Sequence, residues 1–291
     1  PDGGATVFRP PYFGPDKPLY RTTDLQPEKL PSLSPAGVSN VPALSWVETR
    51  FQRVWLDHKA DWTGRAMHPA DNMPDYGSGI CRDTGQGALR LMLDESAAAK
   101  MPALVRYVQL GIDLYHIRLG GLTYHPNGGH NHGRKLPVAF AGALLEHDGM
   151  KQIVYDGANQ VYHEDMSVYY SPTARMVLWG QHDQSAAAYW NCICDGSGSK
   201  TIRDPYRYID GGLEPGGSYQ YCCNSLTWKG TVLCLHLMPE LRDIWNSELI
   251  FEYEDRWVHF GTWTQPDPYA LDCSDRGSLD DDPSDGTGRW P

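Results

Sequence analysis

The sequence predicts a mainly α-helical protein with long connecting loops, and three observations carry that expectation. Apolar residues recur at helical spacing in several segments, Gly and Pro cluster between those segments, and period-two alternation is rare. Antiparallel helix pairs joined by alternately short and long loops can close into a toroid, an architecture that presents a broad cleft lined by loop residues. An incomplete (α/α) toroid is the expected arrangement. Three regions divide the chain: a Pro-rich arm over 1–42, a helical domain over 43–272 and an acidic tail over 273–291.

The elements follow in order. Prolines at 10, 11, 15, 18, 27, 31, 35 and 42 deny the first region a long helix or a central strand, so it should lie extended over the body. Ser45 is placed to cap a helix "WVETRFQRVWLDHK", with Trp46, Phe51, Val54 and Trp55 near one face. "HPADNMPDYGSG" (68–79) then breaks the pattern. "DTGQGALRLMLDES" offers Asp83 or Thr84 as a cap, and "MPALVRYVQLGIDLYHIRLG" (101–120) has Pro near its start and Gly at its end. "RKLPVAFAGALLEHD" tolerates Pro137 only in a first turn. Further helices are expected in 171–193, 224–238 and 244–257, with "QIVYDGANQVYH" as a short hairpin.

Composition narrows the function. Ten Trp and seventeen Tyr against six Phe suit either an aromatic core or the stacking of sugar rings. A formal charge of −11 and no Lys/Arg cluster argue against a nucleic-acid partner. No stretch approaches the ~20 apolar residues of a membrane span, so no membrane partner is expected. A start at "PDGGATVFRPP" fits a processed product. Seven cysteines (81, 192, 194, 222, 223, 234 and 273) leave at least one outside any intramolecular disulfide. The pairs 192/194 and 222/223 lack the two-residue gap usual in structural zinc sites, so disulfides of an exported protein are the first expectation and buried free thiols the second.

The densest functional signal is "YHPNGGHNHGRKLPVAFAGALL" (124–145), polar groups crowded ahead of an apolar helix. A helix start favours anions. Gly128, Gly129 and Gly133 let backbone approach a ligand, Arg134 can hold a carboxylate through two hydrogen bonds, and His130 and His132 reach the same space. The motif reads as a carboxylate-binding corner. The same residues also allow plainer roles: His130 capping a helix, or His125, His130 and His132 binding a metal.

With "HPADNMPDYG", "VQLGIDLYHI", "NGGHNHGRKLPVAFAGALL", "SYQYCCNSLTWKGTVLCLHLM" and "IWNSELIFEYEDRW", the chain resembles the bacterial alginate-lyase and heparinase-like (α/α)-toroid polysaccharide lyases over about 45–260. The resemblance implies β-elimination on an acidic polysaccharide, without a cofactor. Tyr or His would serve as base and acid, and Asn, Arg or His would neutralise the uronate carboxylate. Neutralisation is needed because the proton alpha to a charged carboxylate is too weakly acidic to remove. On this basis His130, Arg134, Tyr208 and Tyr219 are the expected catalytic residues. Asn72, Tyr76, Asn127, Arg207, Tyr221 and Asn224 are the expected substrate contacts.

Three plainer points stand beside that expectation. "PDYG" also fits a tight turn, and Tyr219 and Tyr221 have the spacing of a strand face. Hydrolysis on the same scaffold would use a carboxylate pair drawn from Asp71, Asp75, Asp210 and Glu214. A non-catalytic glycan-binding or structural protein, assembling as a homo-oligomer through the Pro-rich arm, is the third class. A secreted or periplasmic location goes with all three.

Overall fold

The computed structural model describes residues 6–59, 76–126, 128–171, 176–179 and 220–260. The structure is 58 % helix and 6 % strand over these residues, so the mainly α expectation holds. The helices are α1 (Leu44–Phe51), α2 (Gly77–Leu91), α3 (Ala97–Leu119), α4 (Lys135–Leu144), α5 (Asp148–Asp156), α6 (His163–Met166), α7 (Leu226–Leu237), α8 (Pro239–Trp245) and α9 (Leu249–Phe260). A two-stranded antiparallel hairpin, β1 (Val168–Ser171) with β2 (Met176–Trp179), pairs Val168 with Trp179.

The centre of the core is α4. All ten of its residues are buried, as befits a helix apolar on every side. Pro137 occupies its first turn, where a missing N–H costs nothing. α4 packs on α3 where Gly111 presents no side chain, since a Cβ there would fall 2.2 Å from the Pro137 carbonyl oxygen. α3 itself is capped by Ser96, whose hydroxyl accepts from the Ala99 N–H at 3.2 Å. A second close crossing joins α2 to α7 at Gly85 and Gly230. The buried thiols of Cys81 and Cys234 bridge that crossing, donating to the carbonyls of Thr227 (3.6 Å) and Gly85 (3.7 Å).

Residues 6–42 hold no α-helix, only 3-10 turns at Thr22–Asp24 and Pro27–Lys29. They do more than lie on a surface. Phe8, Tyr20, Leu25 and Leu30 are buried in the core. Backbone bonds from Gln26 to the Leu144 carbonyl (2.9 Å) and from Leu33 to the Met92 carbonyl (2.9 Å) fix the segment to α4 and to the end of α2. Arg9 forms an ion pair with the buried Asp113, and Tyr20 Oη shares a hydrogen bond with His116 Nε2 at 2.9 Å.

Several elements differ from the sequence expectation. α1 starts at Leu44 and stops at Phe51, short of Lys59. The chain turns there so that Trp55 packs against Phe51 and Asp57 reaches a distant arginine. Asp83 and Thr84 do not cap α2, which begins six residues before Asp83 at Gly77. Asp83 instead pairs with Arg50 (2.6 Å), and Thr84 bonds back to the Cys81 carbonyl (3.1 Å). The hairpin expected in 152–163 is α5 and the turn after it, because His147 Nδ1 caps Met150 (3.1 Å) and Met150 and Val154 make a buried i, i+4 face. Within 171–193 the described residues are strand, not helix. The helix expected over 244–257 is broken at Asn246, whose φ of 53° ends α8 in the left-handed region.

Candidate functional site

The loop between Gly128 and Arg134 sits on the start of α2, and glycines make the approach possible. Gly133 has φ +88°, and a Cβ there would lie 2.6 Å from Cys81 backbone atoms. Gly77, the first residue of α2, lies so close beneath the loop that its Cβ would fall 2.1 Å from the His130 carbonyl oxygen. From the other side Asn224 donates its amide to the Gly128 carbonyl at 3.0 Å.

Arg134 locks this loop from inside. Its Nε donates to Asp57 Oδ2 at 2.8 Å and its Nη2 to Asp57 Oδ1 at 3.2 Å, a forked ion pair. Its Nη1 donates to the carbonyls of His130 and His132, both at 2.8 Å. The side chain is 5 % exposed and Asp57 only 2 %. The guanidinium expected to hold a substrate carboxylate already holds Asp57, so here Arg134 is a brace rather than a ligand clamp.

His130 and Tyr76 occupy the outer side of the loop. Both are half-buried, and their rings meet edge to face with centroids 4.7 Å apart. The Gly129 N–H donates to Tyr76 Oη at 3.1 Å. Tyr76 was expected as a substrate contact and His130 as a catalytic group; the fold sets them against each other.

His132 points the opposite way. Its Nδ1 accepts from the Trp228 indole N–H at 3.0 Å, so Nε2 carries the proton and donates to the Gly129 carbonyl at 3.2 Å. Burial, with His163 and Arg134 close by, holds its pKa well below the ordinary histidine value. It is a neutral structural imidazole that shapes the loop.

Beneath the loop lies a charged layer that sequence reasoning missed. His163, Glu164 and Asp165 open α6 and are all buried. Glu164 Oε1 accepts from the Gly133 N–H at 2.7 Å, and burial raises its pKa to about 7. The buried Lys135 ammonium pairs with Asp165, donates to the Trp245 carbonyl at 2.7 Å and stands 4.1 Å from the centroid of the Trp245 ring. The His163 ring lies tilted against that of His132, with centroids 4.9 Å apart, and burial lowers its pKa to about 3. The available signal was "HEDM", three titratable residues in a row closing an otherwise apolar and amide-rich segment. Reading that segment as a hairpin hid it.

The other expected residues divide between committed and undescribed. Asn224 is fully buried and engaged with Gly128, which makes it a loop support. Tyr221 lies in a π-helical turn, Gln220–Ser225, that leads into α7. Asn72, Asn127, Arg207, Tyr208 and Tyr219 fall outside the described residues, as do Asp71, Asp75, Asp210, Glu214 and the tail 273–291. Among the described residues no group of three or more His, Cys, Asp or Glu side chains could hold a metal ion, and no helix is long and apolar enough to cross a membrane. Comparison of the chain with family models, curated proteins and solved structures found no match.

Proposed function

We propose that this protein is a polysaccharide lyase that cleaves a uronate-containing polysaccharide by β-elimination, on an incomplete (α/α) toroid in a secreted or periplasmic setting. The observation that carries the reading is the apposition of Tyr76 and His130 on a glycine-built loop, with the Gly129 N–H on the phenol oxygen. In this scheme Tyr76, as phenolate, removes the proton alpha to the uronate carboxylate. Protonated His130 neutralises the carboxylate while negative charge builds on it. The electron pair left by the proton forms the new C=C bond and expels the glycosidic oxygen, which takes the proton back from the Tyr76 phenol. α2 begins directly after Tyr76 with no side chain capping its first turn, so its partial positive charge favours an anion at the same place. Arg134, Asp57 and Asn224 position the loop and touch no substrate in this scheme.

The test is incubation with a panel of uronate polysaccharides while following the absorbance of an unsaturated uronate product. The expected result is product formation that falls about 100-fold or more in Tyr76→Phe and in His130→Ala, both with unchanged melting temperature. New reducing ends without the absorbance would replace the lyase by a hydrolase. Silence across the panel would favour a non-catalytic, glycan-binding role.

A further inference from the structure

The N-terminal segment is held against α3 and reaches from there to the brace of the candidate site. Arg9 forms an ion pair with the buried Asp113. A Cβ on Gly120 would fall 2.3 Å from the Phe13 ring, so Phe13 sits on the end of α3. Asp113 and Gly120 are seven residues apart, about two turns of helix, so residues 9–13 run along one side of α3. Lys17 closes the turn behind them, its Nζ donating to the Pro11 carbonyl at 2.6 Å.

Between those anchors stands Tyr12. Its Oη accepts the Asp57 N–H at 2.8 Å, a contact across 45 residues. The same N–H also meets the Trp55 carbonyl at 2.9 Å in a three-residue turn. Tyr12 and Phe13 both pack on the His58 ring, Tyr12 edge-on with centroids 5.9 Å apart and Phe13 stacked at 5.8 Å. The arm thus grips residues 57 and 58 from outside, and Asp57 is the residue whose two carboxylate oxygens hold Arg134. Arg134 passes the constraint on to the carbonyls of His130 and His132.

We propose that Tyr12 is a positioning residue for the candidate site, and that the arm is a strap setting the Tyr76–His130 pair through Asp57 and Arg134. This inference rests on the reading of that loop as the site. The physical reason is angular. A forked ion pair needs the carboxylate and the guanidinium aligned, and the Tyr12 hydroxyl fixes the Asp57 main chain from which the carboxylate projects. Without that acceptor the main chain at Asp57 shifts, the fork opens, and the two loop carbonyls follow Arg134. A misplacement of reacting groups by about 1 Å costs about 100-fold in rate. Tyr12 acts in this way only through Asp57.

Tyr12→Phe keeps the ring contacts and removes the acceptor, and amide hydrogen exchange reads the result. Exchange should be at least about tenfold faster at Gly129 and Gly133, whose N–H groups bond to Tyr76 and Glu164, and unchanged in α4. In an Arg134→Lys background the link is already cut, so Tyr12→Phe should change loop exchange by less than about twofold. On any polysaccharide that the parent cleaves, kcat should fall at least about tenfold with KM unchanged. Unchanged loop exchange, a rise spread evenly over the loop and α4, a full further rise in the Arg134→Lys background, or faster loop exchange with unchanged kcat would each overturn the proposal. If Arg134→Lys does not fold, the contrast between loop and α4 in Tyr12→Phe decides it. A parent chain inert on the whole panel would end the lyase reading alone, and the exchange comparison would still decide the strap.

Discussion

Asp57 and Arg134, 77 residues apart, form a buried two-point ion pair that ties the end of the first helical segment to the loop above α4. Taking charges out of water is costly, and the pair persists because both carboxylate oxygens and all three guanidinium nitrogens are satisfied. Removing one partner leaves the other buried and uncompensated.

Arg134→Ala should therefore act first on stability. A loss of about 3–5 kcal/mol is expected from chemical denaturation, and Asp57→Ala should cost a similar amount. The double variant should cost less than the sum of the two, because the pair acts as a unit. Additive losses would separate the two residues energetically. A fully stable Arg134→Ala chain that had lost only activity would return the guanidinium to the substrate.

Stability against pH should carry opposing contributions from the layer under the loop. His132 and His163 are held neutral by burial, His163 with a pKa lowered to about 3. Between the unfolded value near 6.5 and that lowered value, the unfolded chain takes protons that the folded chain refuses. The contribution of His163 is thus complete above about pH 6.5 and is lost as pH falls towards 3, and that of His132 is lost in the same direction. Glu164 in that layer, and Asp113 beside Arg9 on α3, have raised pKa values, about 7 and about 6, so each favours the folded state more at low pH and less as pH rises through those values. Urea midpoints across pH 4–8 should show His163→Asn losing less stability than the parent on acidification. Glu164→Gln should lose more over the same range. Parallel curves for all three chains would mean that these groups titrate alike in both states.

The loop geometry predicts a contrast between two glycines with nearly the same backbone. Gly121 and Gly133 have φ of +89° and +88°, but a Cβ on Gly121 meets nothing within 4 Å while one on Gly133 meets Cys81 backbone at 2.6 Å. Gly121→Ala should cost only the backbone term, about 1–2 kcal/mol. Gly133→Ala adds a clash with helical backbone and should cost clearly more, with loss of the Tyr76–His130 contact. Equal melting temperatures for the two variants would show that α2 yields at Cys81.

The parts of the fold that local pattern encodes were legible, and the parts made by distant pairing were not. α4 announced itself through an unbroken apolar run after Pro137, and α3 through its length and the helix-favouring run that Gly120 ends. The break at Asn246 was hidden because "IWNSELIFEYEDRW" keeps helical spacing across it. α5 was mistaken for a hairpin because "QIVY" alternates locally, whereas the buried pair Met150 and Val154 and the His147 cap favour the helix. At the candidate site His130 and Tyr76 could each be named from their motifs. Their meeting depends on Gly77 and Gly129 admitting the loop, and the diversion of Arg134 depends on Asp57; no local spacing encodes either.

The cysteines should divide into two chemical classes. Cys81 and Cys234 are free and fully buried at the α2–α7 crossing, and burial pushes both thiols far above the ordinary range. A protonated, buried thiol is a poor nucleophile, so neither should react with iodoacetamide until the chain unfolds. Cys223 is expected to be half of a cystine. Since Cys81 and Cys234 are free, its partner should be one of Cys192, Cys194, Cys222 and Cys273. Alkylation in denaturant without reductant, followed by peptide mass mapping, should modify Cys81 and Cys234 and leave the Cys223 peptide cross-linked. Reduction in the folded state should then lower the melting temperature, because the link constrains the turn that feeds α7 and Asn224 beneath the loop. Seven alkylated thiols without reductant would instead place the protein in a reducing compartment and withdraw the support that cysteine chemistry gives to export.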